Sequence, residues 1–297
     1  MIAFVVLHYN DIEVTKDCVN KLLLLESNNE IRIVVVDNGS PNGSGDILKK
    51  KYQSVKNVEV TLTGVNLGFA KGNNYGYIIA KQMYNPDYIV VMNNDVMIDD
   101  KKFVYKLLNN SVLNNYEVIM PDIINKMGVH QNPFRENPLS NAELLRNISS
   151  IIALLTLYHI PVLNKIWSDR NKETERVLPT DKIYNTLEMM VPHGACIIFS
   201  KKWIYNEDVA FVPDTFLYGE EDILYEYVAN KGYKTYFEKT LVVEHIEDVS
   251  TDSVVKTNLK KAQFLLKNSY ASQKILLRLR KYNLKNMSYS IVDRGKI

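Results

Sequence analysis

The chain has 297 residues, of which 46% are hydrophobic and 24% are charged. These proportions are typical of a globular protein with a sizeable core, and they exclude a disordered chain or a bundle of membrane helices. The two cysteines, Cys18 and Cys196, exclude a disulfide framework, and neither has a second Cys or a His at metal-ligand spacing. We therefore expect buried thiols in a reducing compartment.

The net charge of +2 hides an uneven distribution. From Ser253 to the end the chain carries 11 Lys and Arg and one acid, Asp293, whereas the preceding residues carry 25 basic and 33 acidic side chains. The sequence therefore predicts an acidic body, 1–252, followed by a basic segment, 253–297.

The apolar segments do not predict a targeting signal or a membrane span. The first ten residues, MIAFVVLHYN, lack the basic region that precedes the apolar part of a signal peptide. The longest other apolar run, 148–163, is interrupted by His159 and Pro161 and is shorter than the roughly 20 residues that cross a bilayer. We expect a cytoplasmic protein.

The first third of the chain alternates between strand and helix patterns. IAFVVLHYN predicts a strand, and DIEVTKDCVNKLLLLE predicts a helix with Asp11 as its N-cap. Further strands follow in IRIVVVDNGS, VEVTLTG and DYIVVMNND, with helices in SGDILKKKYQ and FAKGNNYGYIIAKQMY between them. This β-α-β-α-β-α-β order predicts a right-handed, mostly parallel sheet with helices on both faces.

The rest of the chain is less regular. Residues 125–180 predict loops and an amphipathic helix, and MMVPHGACIIFSKK predicts another strand. DTFLYGEEDILYEYVANKGYKTYF predicts a loop, a helix ending at Gly232 and a strand, and TLVVEHI predicts a last strand. A long basic amphipathic helix is predicted from Asn258 to about Leu284. We divide the body into two halves, 1–124 and 125–252.

Polar residues follow three of the predicted parallel strands. They are His8, Tyr9 and Asn10 after the first strand, Asp37 and Asn38 after the second, and Asn93, Asn94 and Asp95 after the fourth. One such strand end is explained by a turn, but three at the same edge of a parallel sheet predict a ligand site. A carboxylate such as Asp37 can accept hydrogen bonds from a ribose or a pyrimidine N–H. Neither G-x-G-x-x-G nor a P-loop occurs, which disfavours NAD and P-loop ATP.

The stretch TGVNLGFAKGNNYGY has two interpretations. Gly72 and Gly76 lie one helical turn apart, so they would let a helix pack closely on the sheet. The asparagines near the helix start, Asn66, Asn73 and Asn74, would instead suit an anion at a helix N-terminus.

Seven motifs in one order resemble the bacterial family-2 glycosyltransferases of the GT-A fold, and most of all the branch that builds rhamnan, capsular and other surface polysaccharides. The motifs span roughly residues 1–250 and read VVLHYN, VVVDNGS, NLGFAKGNNYG, VVMNND, HGACIIFSKK, FLYGEEDIL and VEHIEDVS. The resemblance implies a nucleotide-diphosphate sugar, UDP- or dTDP-linked, across the strand ends. It makes 1–124 the nucleotide-binding half of the body and 125–252 the acceptor-binding half. On this basis we expect its contacts to include Gly68 and Phe69, together with Gly194 and Ala195.

The resemblance also implies a divalent metal, Mg²⁺ or Mn²⁺, on the diphosphate. NND stands where the family often has D-x-D, so Asp95 is kept and Asn93 replaces the first Asp. His245 stands where relatives often place another ligand, although a lone His is as readily structural. A hard cation needs few protein ligands when phosphate oxygens supply the others.

FLYGEEDIL carries three consecutive acids, Glu220, Glu221 and Asp222. Acids at a helix start are explained by the helix dipole alone. The resemblance instead matches Glu221 to the general base that deprotonates the acceptor hydroxyl, with Glu220 and Asp222 beside it. The reaction implied is inverting glycosyl transfer, without a covalent intermediate, to a glycan or polyprenyl-linked glycan.

Other functions and partners remain open at this level. A sugar nucleotidyltransferase would carry an early glycine-rich loop that is missing here, and an inactive nucleotide-sugar-binding protein would have no need of Asp95 and Glu221. The basic helix predicts contact either with an anionic membrane surface or with protein, including a second copy of the chain. We expect no nucleic-acid partner.

Overall fold

The structure is a computed structural model that describes residues 1–26, 30–157, 186–246 and 258–281. Its strands are β1 (Ile2–His8), β2 (Ile31–Asp37), β3 (Val58–Leu62), β4 (Tyr88–Asn93), β5 (Val96–Met97), β6 (Val118–Asn125), β7 (Cys196–Ser200) and β8 (Thr235–His245). Its helices are α1 (Ile12–Leu23), α2 (Ser44–Tyr52), α3 (Gly68–Tyr84), α4 (Phe103–Asn109), α5 (Asn141–Leu157), α6 (Lys201–Asn206), α7 (Glu220–Lys231) and α8 (Asn258–Lys281). A short 3-10 helix, Ser111–Asn115, follows α4.

The eight strands of the described residues belong to one sheet, in the order β3-β2-β1-β4-β7-β6-β8-β5. The first four in this order are parallel, which confirms the predicted β-α-β-α-β-α-β half. In this register His8 of β1 lies beside Asp37 of β2, and Leu7 lies beside Asn93 of β4. The three polar strand ends therefore meet at one edge of the sheet.

The second half of the sheet is mixed. β7 is antiparallel to both β4 and β6, whereas β8 is parallel to β6 and antiparallel to β5. Neither β6 nor the two-residue β5 was predicted. The two strands predicted in KTYF and TLVVEHI are one strand, β8. Its pairing with β6 shifts register between Pro121 and Asp122, so β8 has a bulge at this point and continues through it.

Helices cover both faces of the sheet. Leu22 of α1, Leu48 of α2 and Phe103 of α4 enter the core of one face. Helix α3 packs on the other face, where a Cβ added at Gly76 would lie 2.5 Å from Cγ1 of Val5 and 2.6 Å from Cγ2 of Val36. The close packing predicted for the α3 glycines is therefore confirmed.

The C-terminal helix α8 packs on the body of the protein. Leu276 and Leu279 are buried in the same core cluster as α3, beside α5 and α7. The predicted helix is confirmed over Asn258–Lys281, and residues 253–257 and 282–297 lie outside the described residues. Within the described ranges, no helix is both long enough and apolar enough to cross a membrane.

Candidate active site

His8 lies at the end of β1 and is buried beneath the edge of the sheet where the polar strand ends meet. Its side chain is fully buried, with Nδ1 2.6 Å from Oγ1 of Thr15 and Nε2 2.7 Å from Oγ of Ser44. Burial lowers the pKa of His8, so the ring is neutral and both nitrogens are engaged. The structure therefore places this predicted nucleotide contact behind Asp37, where it joins β1 to α1 and α2.

Asp37 and Asn38 shape the edge in front of His8. The backbone N–H of Ser40 donates to Oδ1 of Asp37 at 3.3 Å. The start of helix α2 packs closely on this carboxylate: a Cβ added at Gly45 would lie 2.4 Å from Oδ2 of Asp37. The Asn38 amide accepts from Leu67 N at 3.0 Å, and its NH₂ donates to the carbonyl of Gly68 at 3.1 Å. Asn38 thus holds the start of α3 against the end of β2.

Tyr9 and Asn10 form the neighbouring turn, and both are partly exposed. Asn10 has φ +66°, and its backbone N–H donates to Oγ of Ser40 at 2.9 Å. Its side-chain Oδ1 is buried and has no hydrogen-bond partner among the described residues. Because buried polar atoms are normally paired, a ligand donor at this turn would satisfy the oxygen.

The start of α3 connects the two halves of the site. Gly68 has φ +80°, and a Cβ there would lie 2.3 Å from the carbonyl oxygen of Phe216. The N–H of Phe69 donates to that same oxygen at 2.7 Å, and Oδ1 of Asn66 accepts from Gly68 N at 2.9 Å. Only glycine fits so close to the Phe216 segment, which leads into α7.

Asn74 does not join the other predicted binding residues. It is buried, its amide oxygen accepts from Ala210 N at 3.0 Å and Phe211 N at 2.9 Å, and its NH₂ donates to the carbonyl of Phe211 at 2.8 Å. These bonds tie α3 to the segment after α6. The structure gives Asn74 this packing role in place of the predicted anion contact.

The NND motif separates into three different environments. Asn93 is partly exposed at the end of β4, whereas Asn94 is buried and donates to Oγ1 of Thr15 at 2.9 Å. Asp95 is 4% exposed, and its Oδ1 is buried without a hydrogen-bond partner in the described part of the chain. A buried carboxylate oxygen left in this state is well suited to a cation.

His245 faces that carboxylate. Its Nε2 lies 3.4 Å from Oδ1 of Asp95, and its Nδ1 lies 2.8 Å from Oε1 of Gln131. The amide oxygen of Gln131 can accept a hydrogen bond from Nδ1–H, and in that tautomer Nε2 would offer a lone pair to a cation beside Asp95. His193 lies beside His245, with ring centroids 5.8 Å apart, and burial lowers its pKa to about 3.

The donor set at this point fits the expected Mg²⁺ or Mn²⁺. The 3.4 Å between Asp95 Oδ1 and His245 Nε2 is close to the roughly 3 Å between adjacent ligands of an octahedral ion with bonds near 2.1 Å. No cluster of three or more His, Cys, Asp and Glu side chains suited to a metal occurs in the described residues. Asp95 and His245 would then be the two protein ligands of such an ion, and oxygens of a bound ligand and of water would have to supply the others.

Glu221 meets the loop that precedes β7. A Cβ at Gly194 would lie 2.7 Å from Oε1 of Glu221 and 3.6 Å from Cζ of Phe69. Burial raises the pKa of Glu221 and the nearby charge of Asp222 raises it further, while a hydrogen bond from the Gly194 backbone opposes the rise. Glycine at 194 thus gives the carboxylate room beside His193, and Ala195 fixes the loop by accepting from Asn93 N at 2.9 Å.

The acids on either side of Glu221 have different surroundings. Glu220 is 4% exposed, and burial together with the charge of Glu221 raises its pKa to about 7. Asp222 forms an ion pair with Arg135, whose guanidinium also lies 4.6 Å from the ring centroid of Phe134. Asp222 therefore pairs with a cation that lowers the pKa of Glu221, and its own charge raises that pKa.

A contiguous series of contacts joins the two ends of the site. Asp95 lies next to His245, His245 next to His193, and Gly194 next to Glu221. The sequence of this chain also matches the model of glycosyl transferase family 2 over residues 3–205. The chain belongs to this family. It is a glycosyltransferase, and the family implies a nucleotide-sugar donor and a glycan acceptor in general.

Comparison with solved structures supports the fold. The crystal structure of S. aureus TarS 1-349 is similar, with a TM-score of 0.53, 14% sequence identity, and coverage of 99% of this chain and 68% of that chain. At this identity the likeness demonstrates a shared fold alone. No curated protein gives a significant sequence match.

Three residues of the candidate site were missed by sequence reasoning: His193, Gln131 and Arg135. His193 lies in the HGA motif but next to the glycine that attracted attention, and Gln131 and Arg135 lie in an irregular segment without a recognisable pattern. Their importance depends on contacts with residues distant in sequence, so no local signal could identify them.

The raised pKa of Glu220 predicts a pH-dependent stability. The folded state holds this proton more tightly than the unfolded chain, where a Glu titrates near about 4.3. The stabilisation is fully present below that value and is lost as pH rises through the folded pKa of about 7. Between about pH 5 and pH 8 we expect the free energy of unfolding to fall by up to about 3 kcal/mol from this group.

Urea unfolding of Glu220→Gln across this pH range tests the effect. The variant mimics the protonated side chain, so its stability should change less with pH than that of the wild type. Glu59→Gln, at an exposed position of β3, is the matched control and should follow the wild type. An equal pH dependence in wild type and Glu220→Gln would show that Glu220 is ionised in the folded protein.

Proposed function

We propose that this transferase moves a hexose from a UDP- or dTDP-sugar to a glycan or lipid-linked glycan with inversion of the anomeric carbon. The observation that supports this best is the placement of Glu221 and Asp95 on the two sides of the His193–Ala195 loop. One side offers a carboxylate with a raised pKa, and the other a buried carboxylate oxygen that has no hydrogen-bond partner in the described residues and faces His245.

Glu221 supplies the general base. Ionised Glu221 accepts the proton of the acceptor hydroxyl, and the acceptor oxygen forms a bond to the anomeric carbon. The bond between that carbon and the diphosphate oxygen breaks, and its electron pair leaves with the diphosphate. A raised pKa makes the carboxylate a better proton acceptor at neutral pH than an ordinary Glu.

Asp95 and His245 would hold Mg²⁺ or Mn²⁺ at the diphosphate. A divalent cation there neutralises the charge that develops on the leaving group. Gln131 fixes the ring of His245, and Asn93 lies beside Asp95 at the exposed end of β4. Asp37, Asn38 and the Tyr9–Asn10 turn line the adjoining edge, where we place the nucleoside.

We place this reaction in the synthesis of a bacterial surface polysaccharide, of the rhamnan or capsular kind, at the inner face of the cell membrane. The motifs from VVLHYN to VEHIEDVS, in their order, support this finer assignment. A lipid-linked acceptor would require the soluble body to work next to a bilayer.

A screen of UDP- and dTDP-sugars, with and without acceptor glycans, tests the proposal. A transferase should release nucleoside diphosphate faster when an acceptor is present. Production of a nucleotide sugar and pyrophosphate from a sugar phosphate would identify a nucleotidyltransferase instead. Donor binding without release in any combination would identify an inactive nucleotide-sugar-binding protein.

A further inference from the structure

The packing of α8 on the protein determines which of its residues are exposed to solvent. Leu276, Leu279 and Ser272 are 2%, 3% and 3% exposed, so the inner side of the helix is committed to the protein. Phe264 also packs inward, 6.2 Å from the ring centroid of Phe216. Leu276 and Leu279, two of the leucines that make α8 amphipathic in sequence, are therefore not available to a lipid surface.

The outer side of α8 is basic. Its exposed residues recur at intervals of three and four and form one stripe: Lys267, Ala271, Lys274, Arg278 and Lys281. The helix contains no Asp or Glu. Arg280 lies off this stripe and is paired with Glu226 of α7 at 2.7 Å. The stripe therefore presents cations without any acid on the same helix.

The neighbouring helix α5 contributes exposed apolar side chains. Leu145 and Ile152, two turns apart, are 54% and 46% exposed. Helix α5 lies against α8, and one link between them is the hydrogen bond from Nη1 of Arg280 to Oδ1 of Asn141 at 2.9 Å. Exposed apolar groups and exposed cations thus lie on adjacent helices, which we call the α5–α8 face.

We propose that the α5–α8 face docks on a lipid surface with anionic head groups. Cations attract such a surface, while a few apolar side chains can enter the boundary between head groups and acyl chains. Two separated apolar side chains are too few to form the apolar centre of a stable protein interface. This inference depends on α5 and α8 themselves, so it can fail or succeed independently of the proposed reaction.

The same helix also supports the catalytic segment. A Cβ at Gly219 would lie 3.0 Å from Cβ of Ser272, one residue before α7 and two before Glu221. A lipid surface bound to the outer side of α8 would therefore lie behind the segment that carries the base. This arrangement suits an acceptor that is itself anchored in the membrane.

Vesicle flotation of the full chain tests the proposal. Wild-type protein should float with phosphatidylcholine vesicles that contain phosphatidylglycerol, and much less with phosphatidylcholine alone. Substitution of Lys267, Lys274 and Arg278 by Gln should weaken this binding by about 100-fold, because each cation near the surface contributes about fivefold. High salt should release the wild type in the same way, because it screens exposed charges.

A matched control lies on the opposite face of the sheet. Lys49, Lys50 and Lys51 of α2 are also three exposed cations on one helix, and their substitution by Gln removes the same charge. This control should bind vesicles like the wild type. A second comparison uses two double variants. Leu145→Gln/Ile152→Gln should weaken binding, whereas Leu24→Gln/Ile47→Gln changes two exposed apolar residues elsewhere and should bind like the wild type.

Equal flotation with both vesicle types, no flotation with either, or equal losses in the α2 and α8 variants would each overturn the proposal. Sedimentation of the protein without vesicles distinguishes lipid binding from dimer formation. A dimer that dissociates in the α8 variant, with no vesicle binding, would assign the α5–α8 face to a second copy of the chain. Far-UV circular dichroism of each variant establishes that the helices remain folded.

Discussion

Glu221→Gln is expected to lower kcat by about 10²- to 10⁴-fold, the usual contribution of a positioned general base. The amide has nearly the same shape as the carboxylate, so the contact with Gly194 and the binding of nucleotide sugar should persist. The loss arises because the amide cannot accept the proton of the acceptor hydroxyl. Steady-state kinetics with a saturating donor, together with calorimetric donor affinity, measures the two effects separately.

The neighbouring acids provide controls within three residues. Glu220→Gln should keep most of the activity, because Glu220 is buried and its raised pKa of about 7 leaves a large share of the side chain neutral near neutral pH. If Glu220→Gln is inactive while Glu221→Gln remains active, the base has been assigned to the wrong residue. Gly194→Ala should impair kcat with Glu221 intact, since the added Cβ would lie 2.7 Å from Oε1.

Asp222→Asn should change the pH profile of the same reaction. The substitution removes the charge that pairs with Arg135, leaving a cation beside Glu221. A nearby positive charge lowers the pKa of a carboxyl, so the acidic limb of kcat/KM should move to lower pH. Arg135→Gln removes the cation and should move this limb to higher pH. Shifts in the same direction would contradict an electrostatic role for the pair.

Asp95→Ala is expected to remove nearly all activity, by about 100-fold or more, without unfolding the protein. Loss even of a residue that only supports a metal ligand costs about 10- to 100-fold, so loss of a direct ligand should cost at least as much. Deletion of the carboxylate also relieves the burial of an unpaired oxygen, which favours folding of the variant. Activity assays and thermal unfolding of the same preparation measure both quantities.

Chelation provides the matching test of the metal. EDTA should abolish activity in the wild type, and Mg²⁺ or Mn²⁺ in excess should restore it. Asn94→Ala is a suitable control, because Asn94 is buried against Thr15 and should affect stability more than metal dependence. Full activity of the wild type in EDTA would refute the proposed metal role of Asp95 and His245.

The sequence by itself determined the parallel half of the fold. Alternation of buried strands with helical stripes depends on local periodicity, so β1 to β4 and their order of polar ends could be predicted from the chain alone. Asp11 was identified as the N-cap of α1 for the same reason, since capping involves residues three apart, and Asp11 accepts from Val14 N at 3.2 Å. The motifs also identified the family.

The mixed half of the sheet could not be predicted from local sequence patterns. β6 pairs with strands more than seventy residues later in the chain, and the bulge in β8 makes one strand look like two. Which strands pair, and where a bulge forms, depends on packing between segments that are distant in sequence. Short-range periodicity carries no information about such packing.

The tertiary structure alone distinguished residues that look equivalent in sequence. His8 and Asn74 carry the same kinds of polar atoms as the other predicted binding residues, but burial and long-range hydrogen bonds use those atoms internally. Of three consecutive acids, Glu220 is buried, Asp222 is paired with Arg135 and Glu221 lies at Gly194. Successive residues of a helix start point in different directions, so their environments are set by whichever segments the fold brings against each one.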